Sequence, residues 1–125
     1  MTNTEMMLEI TSLNKKIKNY QVTNLNDFDE ISNTIDRFKK LQKDLMYNNF
    51  NTSCVFRNEK MSVFDLIKIK ESILLKKNIL SETLTLSSDE DMEKTLEYFQ
   101  SLQEYTKALS EIHFILDNIN NKENE

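Results

Sequence analysis

Apolar residues recur along most of this chain at steps of three and four, the spacing that gathers them on one face of an α-helix. Met6, Ile10, Leu13, Ile17 and Tyr20 predict a first helix over about 4–20. Gln21–Asn24 has no strong period and reads as a short connection. Phe28, Ile31, Ile35, Phe38, Leu41 and Leu45 then predict a second helix over about 26–48. Asn26 or Asp27 can cap it, and Asp27, Asp29 and Glu30 suit the positive end of its dipole. From Phe50 the period drops to two: Phe50, Thr52, Cys54 and Phe56 alternate with Asn51, Ser53 and Val55. That predicts a small β-ribbon over about 50–62, turning at Arg57-Asn58-Glu59-Lys60. Ser62 caps a third helix to about 80, with Asp65 at the capping-box position and Val63, Leu66, Ile69, Ile73 and Leu80 facing inward. Ser81–Ser88 reads as a linker, Ser88 as the cap of a fourth helix, and Asp89, Glu90 and Asp91 as its first turn.

That fourth helix, about 88–119, carries the longest seam: Met92, Leu96, Phe99, Leu102, Tyr105, Leu109, Ile112, Leu116 and Ile119. At 1.5 Å per residue it spans roughly 45–48 Å, more than a compact monomer of this size requires. The seam is expected to run along a helical hairpin or into a coiled-coil-like subunit interface, with Phe99, Leu102, Leu109, Ile112 and Leu116 as the interface residues of a homo-oligomer. The tail from 120 to 125 is polar and expected to fray. The fold expected is mainly all-α: a single domain, an antiparallel bundle of about four helices with one β-ribbon between the second and third.

Composition sharpens this. The 125 residues contain no glycine and no proline. Long helices need neither, whereas a tight turn lacks its usual residues, and Asn58 is the residue expected to take a left-handed backbone at the ribbon turn. Without glycine there is no P-loop, dinucleotide-binding fingerprint or nucleophile elbow. The net charge of −5 divides unevenly: residues 1–80 hold 13 Lys/Arg and 10 Asp/Glu, residues 81–125 hold 3 and 11. An acidic last helix packing on basic earlier ones explains that split; a basic patch meeting an anionic ligand is the alternative. With Arg37 and Arg57 the only arginines, duplex nucleic acid is not an expected partner. No apolar run approaches a membrane span, Met1–Glu5 does not read as a signal peptide, and the lone Cys54 fits a reducing cytoplasm. Abundant Asn, Lys and Ile fit an AT-rich genome, as in low-GC bacteria and their phages.

Catalytic chemistry finds no foothold. His113 has no second ligand at metal-binding spacing, Cys54 has no base partner and reads as a partly buried thiol, and Asp89, Glu90, Asp91 and Glu93 are what a helix start favours. The chain is expected to be non-enzymatic and to need no cofactor. The segment with most chemical character is Asn48–Met61. Asn51, Thr52, Phe56, Arg57 and Lys60 could line a pocket for a flat, nucleotide-like anion, with rings, a guanidinium and amides converging. The same ribbon also reads as an oligomerisation arm.

Ile35-Asp36-Arg37-Phe38-Lys39-Lys40-Leu41, then Asn48-Asn49-Phe50-Asn51-Thr52, then Met61-Ser62-Val63-Phe64-Asp65-Leu66 and the charged helix to Leu80 resemble the septicolysin-like family of small helical bacterial and phage proteins. The resemblance covers most of residues 28–118. It implies a helix running into an Asn/Thr-rich strand, a tight turn, a Ser/Thr-capped helix and a long last helix. Arg57–Lys60 stands where that family has a glycine-containing turn, and the link between the first two helices is short. Nothing in the chain resembles a membrane-inserting segment. The function expected is a self-assembling binding protein, as a phage-type inhibitor that sequesters a small anionic signal or blocks a host defence protein. The alternative is an interaction module whose last helix docks a partner helix.

Overall fold

The computed structural model describes residues 1–86 and 92–124. The chain starts on a capping box: the Thr2 hydroxyl accepts from the Glu5 backbone N–H at 3.0 Å, and the Glu5 carboxylate accepts from the Thr2 N–H at 3.2 Å. With two otherwise orphaned donors satisfied, helix α1 runs Asn3–Lys18 and closes among Lys15, Lys16 and Lys18, which suit its negative end. The following loop is built on Asp27. Its carboxylate accepts from the backbone N–H of Thr23 (2.6 Å) and Asn24 (2.9 Å) and from the Thr23 hydroxyl (3.0 Å). Those donors, led by the Thr23 N–H, hold Asp27 below the usual carboxylate range. Helix α2 then spans Asp27–Asn51, with Asn26 at the N-cap position but making no side-chain cap bond.

The chain divides into two compact units, the first made of Met1–Thr52 with Asn118–Glu125 and the second of Ser53–Asp117. In the first, α1 and α2 pack side by side. Arg37 grips Glu9 through two N–H donors at 3.0 and 3.2 Å, and Lys16 reaches Glu30 at 3.7 Å. Those pairings descend one helix while climbing the other, so the helices are antiparallel. Met6 and Leu41 are buried.

The second unit opens with the ribbon, β1 Ser53–Phe56 and β2 Glu59–Ser62, paired antiparallel with Phe56 opposite Glu59. Strand β1 is shorter than the alternation predicted. Helical hydrogen bonding continues through Asn48 and Asn49 to Asn51, and the Thr52 N–H closes the last turn on the Asn48 carbonyl at 3.0 Å. Phe50 and Asn51 are thus helical, not extended. Cys54 and Phe56 turn to the buried face, and both strands contact helix α3, Val63–Leu84. The Ser62 hydroxyl accepts the Asp65 N–H at 3.1 Å, so the expected cap is present. The last helix, α4, spans Met92–Asn120. The residues assigned to its cap and first turn, Ser88–Asp91, lie outside the described residues. Together with Cys54 and Phe56, Val63, Leu66, Ala108, Leu109, Ile112 and Leu116 form the buried apolar set of this unit. Burying a side chain of the Leu or Ile class contributes about 1.5–3 kcal/mol. Helices α3 and α4 share the walls of one groove. Among the described residues no helix is long and apolar enough to cross a membrane.

Candidate functional site

The ribbon turn has only two residues between Phe56 and Glu59, and such turns need positive φ at both. Asn58 has φ 69°, as its side chain tolerates; Arg57 has φ 50°, which the sequence did not single out. A non-glycine residue in that region carries a backbone cost of about 1–2 kcal/mol. What offsets it here is the guanidinium. Arg57 Nη1 lies 2.7 Å from Glu104 Oε1, and its Nε donates to Glu111 Oε2 at 2.9 Å. Glu104 and Glu111 are seven residues apart, on one strip of α4, so a single planar fork bridges two turns of helix. The hydrogen bond from Arg57 holds the Glu111 carboxyl below its ordinary range, and Glu111 then Glu104 raise the guanidinium's affinity for its proton. The Arg57 guanidinium also lies 5.3 Å from the centre of the Phe56 ring.

Beside this clamp is a cleft of about 510 Å³ between the ribbon and α4, with Phe56, Phe114 and Ile115 as its apolar lining and Arg57, Ser110 and Glu111 as its polar one. The five residues expected to form an anion pocket are distributed differently. Asn51 ends α2 with its amide donating to the Tyr47 carbonyl at 2.8 Å, and Thr52 caps that helix, so both belong to the first unit. Phe56, Arg57 and Lys60 belong to the second. Phe56 is a buried side chain, and Lys60 is exposed on β2 opposite Val55. Arg57, the cation on which the pocket depended, already holds two carboxylates, so an arriving anion would have to displace both.

The interface expected along α4 also needs correction. Leu109, Ile112 and Leu116 are buried within the chain, because the seam that the spacing reveals is the inward one. Leu102 is half-buried, and Phe99 stays 49% exposed. Phe99 shares a strip with Met92 and Leu96, at 61% and 58% exposure. That strip lies roughly 130° around the helix from the buried one, at steps of four and three. The expectation of an acidic last helix paired with basic earlier segments is met at Arg57. Among the described residues no ion pair joins α3 to α4.

Cys54 is buried and its thiol is pushed up, first by burial and then by the charge of Asp65, the opposite of an activated nucleophile. His113 is exposed, and no group of three or more His, Cys, Asp or Glu gathers as a metal site among the described residues.

A polar cluster that the sequence did not announce sits in the first unit. Asn3, only 2% exposed, accepts at Oδ1 from Asn48 (3.2 Å) and Asn124 (2.9 Å) and donates from Nδ2 to Asn120 (3.3 Å). Thr4 donates to Asn121 at 2.9 Å, the Asn124 N–H to the Met1 carbonyl at 3.3 Å, and the Met1 ammonium pairs with Glu123. Of the tail expected to fray, residues 120–124 are pinned to the start of α1. Asparagines at 3, 48, 120 and 124 carry no periodic signal; only the high count of asparagine hinted at them.

No protein-family model, curated protein or solved structure matches the chain. The resemblance to the septicolysin-like family therefore rests on its short motifs.

Proposed function

We propose that this chain is a non-enzymatic helical interaction protein that docks an amphipathic partner helix along the outer strip of α4. One observation carries the reading. Among the described residues ten apolar side chains are buried, while nineteen large ones are exposed, three of them aligned as Met92, Leu96 and Phe99. Isolated exposed apolar residues are ordinary, whereas an i, i+4, i+7 row on a helix is the form in which helix-in-groove partners are gripped. The strip carries no charge between its apolar positions on the same face, so a partner's apolar residues meet no desolvation penalty there.

The narrower reading, sequestration of a nucleotide-like anion or blockade of a host defence protein by a phage-type inhibitor, draws no support from the Arg57 clamp. The test is a photo-crosslinking side chain at Phe99 in the native cell. A discrete adduct, abolished by Leu96→Glu and absent when the crosslinker is moved to Leu8, is the expected result. Adducts insensitive to Leu96→Glu would sink the reading.

A further inference from the structure

Between α3 and α4, the second unit carries an open groove of about 310 Å³, with Ile79 and Leu80 of α3 and Tyr98 and Tyr105 of α4 in its apolar walls. Bordering it is a ridge: Leu75 and Ile79, one turn apart on α3, 65% and 64% exposed and roughly opposite the buried Val63 and Leu66. Ridge and groove thus lie side by side on the same helix edge. A surface with both features is complementary to itself. A two-fold axis that sets one copy's ridge in the other's groove must set the second ridge in the first groove.

Charge favours a second copy as the occupant. Lys76 lines the groove next to the ridge and makes no ion pair among the described residues. Ser101 lines the opposite wall, and Glu97 and Glu104 sit one turn to either side of it on α4. Glu104 is taken by Arg57, while Glu97 makes no ion pair among the described residues.

We infer that this groove is occupied by a second copy of the chain, each Leu75–Ile79 ridge seated between the partner's α3 and α4, with Lys76 of each copy facing Glu97 of the other. The pairing sets α3 and α4 of both copies together and leaves the Met92–Leu96–Phe99 strip free. Sedimentation equilibrium of the full chain at about 100 µM tests it. The expected species is a dimer, converted to monomer by Ile79→Glu or Leu75→Glu and unaffected by Leu8→Glu in the first unit. Lys76→Glu should weaken the dimer about tenfold, and adding Glu97→Lys should restore it. Far-UV circular dichroism separates lost association from lost fold, and Ile79→Ser serves if the glutamate variant loses helix. A monomeric wild-type chain overturns the proposal and leaves the α4 docking strip to its own test. A dimer indifferent to both ridge variants overturns it as well, placing self-association on another face.

Discussion

The turn at Arg57-Asn58 holds two adjacent non-glycine residues at positive φ, the only such residues among those described. Only one of them has a side chain suited to that region. Asn58→Ala is expected to cost about 1 kcal/mol in urea denaturation, and Asn58→Gly to be neutral or stabilising. Equal losses for both would show that the turn is held by something other than its dihedrals. Arg57 is retained through its carboxylate partners, and that has a pH signature. Glu111 is held below its ordinary value of 4.5, so it binds fewer protons folded than unfolded. Its stabilisation is complete above that ordinary value and disappears as pH falls through the lower, folded-state one. The difference in urea midpoint between wild type and Glu111→Gln should stay level from about pH 6 to 9 and shrink below about pH 4.5. A difference that grows on acidification would contradict the clamp. Added salt should reduce it as well, since the pair is exposed.

At the scale of the helices, the buried and exposed strips of α4 predict opposite mutational costs. Ile112→Ala removes a fully buried side chain and should cost about 2–5 kcal/mol, whereas Phe99→Ala should stay within about 0.5 kcal/mol in the isolated chain. Equal costs would mean that Phe99 belongs to the core. Asn3 is a second element-scale joint. Asn3→Leu keeps its volume but strips partners from Asn48, Asn120 and Asn124, so about 1–3 kcal/mol is expected, read from urea unfolding. The contrast between these sites explains what the sequence could reveal. Periodicity located all four helices and the ribbon, because burial imposes a repeat that survives in the one-dimensional pattern. It could not tell whether the Leu109–Ile112–Leu116 seam is covered by the chain itself or by another, since both leave the same spacing. Nor could it mark the end of α2, where Phe50 and Asn51 read as extended although the helical ladder continued through them. The Asn3 cluster and the Arg57–Glu104–Glu111 clamp join residues 45 to 121 positions apart, pairings that no local repeat encodes.

For the molecule as a whole, the ridge-in-groove dimer makes a prediction about concentration: if it forms, unfolding is coupled to dissociation, and each tenfold rise in protein concentration adds about 1.4 kcal/mol of stability per dimer. For a chain of this length, each kcal/mol shifts the transition by roughly 3–6 °C. Shared between two chains, the increment amounts to about 0.7 kcal/mol each and a rise in Tm of roughly 2–4 °C per decade. Calorimetry of the wild-type chain over about two decades of concentration should show that slope, and Ile79→Glu should flatten it while lowering Tm at the high end only. Phe99→Glu, on the strip left free by the dimer, should leave the slope intact. A Tm independent of concentration in the wild type would mean that the uncovered apolar surface contributes nothing to folding.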